Sequence, residues 1–419
     1  MTTIDSSAAP GMASAISPKL AVPHFSLGER DRRWARVRQL MERDNLDVLV
    51  APSHTGAWDQ LQANVRYLTG IGGGSATAGC VFPRDPADGE VTALVGPIPP
   101  KDYWLRFQDW VTDVRPGFFS ISQASIDRLK EHPAVDHPGI RIGVPGLGGM
   151  IRMPEGIVAT GTFRNLHETF PQAELVDATH LMDEARYVKS DEEIAFMRQA
   201  ITLVERAIDT LRHSARPGVP ECVVFGRMLS TLVEGGSDVP TMLLWSVGNP
   251  QPPTNGFVAT QRPLATGDVF AMEIDGRWGG YIGQVTQPAV LGRLDDERHE
   301  MWKVQQEAVA RCYERLTPGA SMAEFVSIGE QAARGTPFSC SVIIHSRGLG
   351  NDAPMVIFNS RDRRQLDWPI LENATFILKP LVRNAAGEKP TCWGDTVVAT
   401  SSGARRLGSQ PSQFIEIEP

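Results

Sequence analysis

No apolar run in this 419-residue chain approaches the roughly 18 residues of a spanning helix, so no membrane segment is expected. No block of Lys and Arg stands out, and the net charge of -8 argues against nucleic acid as the main partner. Cysteine is scarce. Cys80, Cys222, Cys312, Cys340 and Cys392 are scattered, without a CxxC pair, which excludes the usual zinc spacings and reads as reduced thiols in a cytoplasm. Most should be small core residues. The opening stretch, MTTIDSSAAPGMASAISPK, lacks a positive segment followed by an apolar core, so secretion is not expected. There is no short-period repeat, and no low-complexity block beyond that Ser/Ala-rich start.

What is present is an ordinary globular composition, 42% hydrophobic and 21% charged, at a length that suggests about two to three domains. Residues 1–25 are expected to form a disordered tail. From Leu27, Trp34, Val37, Leu40 and Met41 recur at helical spacing. Leu46 to Val50 reads as a buried strand, and Val65, Tyr67 and Leu68 as the start of another, closed by Gly70. Gly72, Gly73 and Gly74 read as a turn, because no Lys-Ser/Thr follows as a phosphate loop needs. Strands over Ala78–Phe82, Val91–Val95 and Ile140–Val144, with a helix near Ser122–Glu131, complete an α/β domain over residues 26–182. Ser190 with Glu193 then forms a capping box, ahead of an apolar face from Ile194 to Leu211. Further helices over Pro220–Glu234, after Asp295 and after Ser321 alternate with hairpins, as in an α+β domain over residues 183–419.

The stretch GDVFAMEIDGRWGGYIGQVTQ, Gly267 to Gln287, holds the question of function. Val269 to Ile274 is an apolar run carrying Glu273, Arg277 to Gly280 supplies turn residues, and Tyr281 to Val285 reads as the return strand. A carboxylate in such a hairpin calls for a positive partner or for water. The stretch resembles the first metal-binding hairpin of the pita-bread family, which holds methionine aminopeptidase, aminopeptidase P, prolidase and creatinase. NVRYLTGI after RRWARVRQLMERDNLDVLVAP, and ARYVKSDEEIAFMRQA, are similar to that family's amino-terminal and catalytic domains. The resemblance implies an α/β amino-terminal domain followed by a pita-bread α+β domain, and a homodimer.

The family's two-metal centre uses two Asp, one His and two Glu. Aligned on Gly280-Tyr281, on His345-Ser346-Arg347-Gly348, on Phe376–Pro380 and on Gly394-Asp395-Thr396-Val397, these positions read Glu273, Gln284, His345, Lys379 and Gly394. Only two of the five bind a divalent ion well, so the expectation is no metal and no cofactor. Creatinase works without metal through a His, but the segment Gly248–Asn255 that should supply it has none. Its other carboxylates would fall on Thr286 and Lys379.

Three readings remain. In the first, a metal-independent enzyme hydrolyses a C–N bond, or runs a lyase or isomerase step, on a small polar metabolite. Lys379, His345 and Glu273 handle protons, with Lys379 as acid/base, oxyanion stabiliser or imine-forming amine. In the second, a pseudoenzyme keeps Lys379–Glu273 as a structural pair and serves as a binding or scaffold protein, its pocket filled by Trp278 or Trp393. The third is a Xaa-Pro-type metallopeptidase. Tyr281, Gln284, Arg347 and Asp395 are the expected polar neighbours. Trp245 lines a pocket or the core, and Arg383 anchors an anion or reaches solvent. His54, near Trp58, lies on a loop that in the family can reach a partner subunit's site, or else sits on the surface.

Overall fold

The described residues form two sheets with helices packed against them. The computed structural model describes residues 23–52, 63–73, 77–117, 120–149, 153–239, 241–250, 256, 258–350, 352–357 and 363–419. The tail expected at residues 1–25 therefore lies outside the described residues up to residue 22. The chain divides into two compact units, Met1–Ala185 and Arg186–Pro419. Among the described residues no helix is long and apolar enough to cross a membrane.

The first unit begins with α1 (Leu27–Arg43), whose Ser26 N-cap accepts from the Glu29 amide at 3.1 Å. Strands β1 (Val48–Ala51), β2 (Ala78–Pro83), β3 (Thr92–Val95), β4 (Asp113–Pro116), β5 (Arg141–Val144) and β6 (Glu174–Asp177) form one mixed sheet, ordered β4-β3-β2-β1-β5-β6. Helices α2 (Ala63–Thr69), α3 (Lys101–Phe107), α4 (Ile121–Leu129) and α5 (Thr160–Thr169) lie between successive strands, and α6 (Thr179–Tyr187) follows β6. Val48, Val50, Ile126, Leu129, Ile142 and Leu166 lie in one shared core.

Helix α2 corrects the expected strand at Val65–Leu68. A short apolar run has no periodicity of its own, and tertiary contacts choose the helix. Trp34 Nε1 donates to the Leu68 carbonyl at 2.8 Å, and Thr69 Oγ donates back to the Val65 carbonyl at 2.7 Å. Gly70, at φ 71°, donates its amide to the Arg66 carbonyl at 2.9 Å. The glycine read as a strand end is a helix C-cap.

The second unit holds α7 (Asp191–Ser214), with the Ser190–Glu193 capping box closed in both directions, and α8 (Glu221–Glu234). Strands β7 (Met242–Gly248), β8 (Val269–Trp278) and β9 (Tyr281–Leu291) follow, then α9 (Asp296–Arg315) and α10 (Met322–Ala332). The chain ends with β10 (Ser339–Ser346), β11 (Met355–Val356), α11 (Arg363–Leu366), β12 (Thr375–Arg383), β13 (Pro390–Cys392), β14 (Gly394–Thr400), β15 (Gly403–Arg406) and β16 (Ile415–Ile417). The sheet runs β11-β10-β12-β14-β9-β8-β7, with β13, β15 and β16 pairing at its margins. The β8–β9 hairpin is longer than expected, turning only at Gly279-Gly280.

Helices cover one face of this sheet. Gly276 and Gly283 admit the α7 backbone, for a Cβ there would come within 2.5 Å of the Ala200 carbonyl oxygen and 2.6 Å of the Ile201 nitrogen. Cys312, Phe325, Ile344, Phe376, Leu378 and Val397 fill the core on that side. The alternating residues of the same strands point the other way, and that second face carries the candidate site.

Candidate functional site

Register across the curled sheet sorts the second face into rows. Leu244 opposes Glu273, Glu273 opposes Thr286, Thr286 opposes Gly394, and Ile343 opposes Lys379. Gly394 itself abuts Lys379, completing the row. One step along, Met242 opposes Asp275, Asp275 opposes Gln284, Thr396 opposes Ile377, and Ile377 opposes His345. Gln284 and Thr396 join this second row through two 2.9 Å bonds, the Gln284 amide to Thr396 Oγ and that hydroxyl to the Gln284 carbonyl.

Lys379 and Glu273 lie on β12 and β8, three strand spacings apart through β14 and β9. In a flat sheet that is roughly 14 Å of backbone separation. Their side chains nonetheless meet, Lys379 Nζ standing 2.7 Å from Glu273 Oε2, with 4% and 17% of the side chains exposed. Gly394 makes this bridge possible. A Cβ at that position would lie 2.4 Å from Lys379 Cβ and 2.3 Å from the Leu378 carbonyl oxygen. The lysine and the glycine are therefore one arrangement, a long cationic side chain beside a position that holds none.

Gln284 links this pair to a second one. Its Nε2 donates to Glu273 Oε2 at 3.0 Å, and its Oε1 accepts from Arg347 Nε at 3.1 Å. Arg347 Nη2 in turn donates to Asp275 Oδ2 at 2.9 Å. The result is a buried chain, Lys379–Glu273–Gln284–Arg347–Asp275, in which the amide serves both neighbours as no carboxylate could. Burial pushes the Asp275 carboxyl above its usual value, against the pull of Arg347 and Arg277. Asp275 was missed from the sequence, although its spacing of two from Glu273 already placed both on one face.

The other expected residues divide between the two faces. His345 shares the site face, one row along from Lys379 and 1% exposed. Its Nδ1 lies 3.1 Å from the Ser346 carbonyl, which can only accept, so Nδ1 carries a proton. Arg383, half-buried at the end of β12, also lies on the site face, four residues on from Lys379. Tyr281, Asp395 and Trp245 do not, because neighbours along a strand alternate sides. Tyr281 Oη donates to Glu193 Oε1 on α7 at 2.6 Å. Asp395 accepts from Tyr313 Oη and from Arg406 Nε, each at 2.6 Å. Trp245 Nε1 donates to Glu221 Oε2 at 2.7 Å, and its ring packs edge-on to Phe225 and Phe270. These three hold helices and strands together. His54 lies outside the described residues.

The two tryptophans considered as plugs have other neighbours. Trp393 lies under the Arg406 guanidinium, 5.2 Å from its carbon, and Trp278 stands beside Gly236 at the end of α8. Burial also pushes the Cys340 and Cys392 thiols up to about 12, consistent with cysteines that are structural rather than nucleophilic.

The donor set does not suit the dinuclear metal centre that the fold implies. Position 379 holds an ammonium already paired with Glu273, position 284 an amide, and position 394 admits no side chain on this backbone. Hard cations need several anionic oxygens, and zinc about four good ligands. Among the described residues no group of three or more His, Cys, Asp and Glu is placed to hold an ion.

Comparison with known proteins fits this geometry into a family. Metallopeptidase family M24 matches residues 195–401. The chain is 23% identical over 321 residues to an uncharacterised hydrolase/peptidase of Sinorhizobium fredii, covering 72% of this chain and 76% of that one. It is 22% identical over 257 residues to a Xaa-Pro dipeptidase of Pyrococcus furiosus, covering 60% and 72%. An X-Pro aminopeptidase structure from Thermotoga maritima superposes with a TM-score of 0.70 at 20% identity, over 92% of this chain and 99% of that one. The last is a likeness of fold. Residues 195–401 thus carry a metallopeptidase M24 domain, and the chain has the two-domain pita-bread architecture of that X-Pro aminopeptidase.

Proposed function

We propose that this protein hydrolyses a C–N bond of the amide type in a small polar substrate, with the Lys379 ammonium taking the electrostatic part that metal ions play in metallopeptidases. The observation that carries this reading is the Lys379–Glu273 contact, 2.7 Å long and formed beside Gly394. Loss of function by drift gives no reason for a buried cation to be seated where cations are bound in the family. Glu273, the more exposed partner, accepts a proton from water. The water oxygen bonds to the acyl carbon, and Lys379 stabilises the negative charge that develops on the carbonyl oxygen. The C–N bond then breaks, and the amine leaves with the proton that Glu273 held. His345 lies on the same face to exchange protons.

Elimination or isomerisation would use the same proton pair, but the hydrolase names of the relatives favour hydrolysis. Those names also support a Xaa-Pro-type metallopeptidase, against which the donor set argues. A homodimer is part of the proposal and is checked by sedimentation. The deciding experiment screens Xaa-Pro dipeptides and small amides for hydrolysis, with chelator and with added manganese or cobalt. Turnover that survives chelation and is lost in Lys379→Met is expected. Turnover only with a stoichiometric metal would restore the metallopeptidase reading. Tight binding of panel compounds without turnover would favour the scaffold reading.

A further inference from the structure

The Thr286 hydroxyl differs from two other threonine hydroxyls on the site face. Thr396 Oγ exchanges two 2.9 Å bonds with the Gln284 backbone, and Thr375 Oγ donates to the Arg347 carbonyl. Thr286, 3% exposed, has no hydrogen-bond partner for its Oγ among the described residues. It lies directly across from Glu273 on one side and from Gly394 on the other, so it sits in the row that the Lys379–Glu273 bridge spans. Asp275 Oδ1, one step along the same face, also has no hydrogen-bond partner among the described residues. Buried polar atoms are rarely left so, and ordered water commonly supplies the missing bonds where two to four polar groups converge.

Resting on the hydrolytic reading above, we infer that Thr286 Oγ, the Glu273 carboxylate and the Lys379 ammonium together seat a water molecule, and that this water is the nucleophile. The groups are chemically matched to it. Water donates one hydrogen to Glu273 and accepts from the ammonium, and the threonine hydroxyl, able to donate or accept, completes its coordination. When Glu273 takes the proton, the oxygen lone pair forms the bond to the acyl carbon. Thr286 acts here by holding the attacking water and takes up no proton.

High-resolution crystal structures of the parent, Thr286→Val and Thr286→Ser test this. An ordered water within hydrogen-bond distance of both Thr286 Oγ and the Glu273 carboxylate is expected in the parent and in Thr286→Ser, and should be lost in Thr286→Val. A parent with no water there, or a water unmoved in Thr286→Val, would overturn the inference. If the valine variant does not fold, the parent and the serine variant decide alone. With a substrate from the amide screen, Thr286→Val should lower kcat about 100-fold while moving KM less than about threefold, and serine should restore most of it. The water seen without any turnover on the panel would sink the hydrolytic reading and leave the water site standing. Turnover with a dry site would do the reverse.

Discussion

Removing the partners of the Lys379–Glu273 pair singly and together separates a buried charge bridge from a surface contact. In Glu273→Leu the Lys379 ammonium, 4% exposed, loses its carboxylate. Breaking a buried pair from one side costs about 3–5 kcal/mol. For a unit of the size of residues 186–419 this lowers the melting temperature by roughly 6–20 °C, at about 2–4 °C per kcal/mol. Lys379→Met should cost less, about 1–3 kcal/mol, because Glu273 is 17% exposed and keeps the Gln284 amide at 3.0 Å. The double variant replaces both charges by apolar groups of similar volume and should be neutral, or more stable than the parent by about 1–4 kcal/mol. Urea unfolding of all four proteins, followed on the transition of the second unit, gives the coupling energy, which should be at least about 4 kcal/mol. Near-additive single effects, each within about 0.5 kcal/mol, would mean that solvent screens the pair, and the idea of a seated cation would fail. A double variant less stable than either single one would instead make the pair a structural necessity and favour the scaffold reading.

Gly394→Ala should destabilise by about 1–3 kcal/mol or more, since its Cβ must displace Lys379 or the Leu378 carbonyl; thermal unfolding unchanged from the parent would contradict the coupling of the two positions. Asp275→Asn tests the sign of a pH effect. A carboxyl whose folded value is raised contributes stability that is fully present below its ordinary value of 3.8 and is lost as pH rises through the folded value. The asparagine variant should therefore match the parent in acid and gain on it as pH rises toward neutrality. A variant that instead falls behind the parent over that range would show that Arg347 and Arg277 more than offset the burial of the charge.

Much of this protein is readable from local patterns, because the physics there is local. The capping box at Ser190 needs only four residues and closes as written, and the helix expected after Ser321 starts there, with a capping box of its own. The glycines that end the hairpin and the apolar faces of α7 and α9 follow from turn chemistry and helical period. The correspondence at Glu273, Gln284 and Lys379 also emerged from spacing and resemblance, and the structure brings those three into one hydrogen-bonded chain. Other assignments were not available that way. Val65–Leu68 is apolar enough for either state, and contacts to Trp34 chose the helix. Which strands lie side by side, and in what register, depends on pairings between segments as much as 126 residues apart, as Ile415 is from Ala289. That register set Thr286 between Glu273 and Gly394, turned Asp395 and Tyr281 to the helix side, and brought Asp275 to Arg347. The sequence by itself determined the two-part architecture and, through the family resemblance, singled out Glu273, Gln284, His345, Lys379 and Gly394. Only the curl of the sheet, which carries two side chains across three strand spacings, decided that a lysine meets a glutamate there.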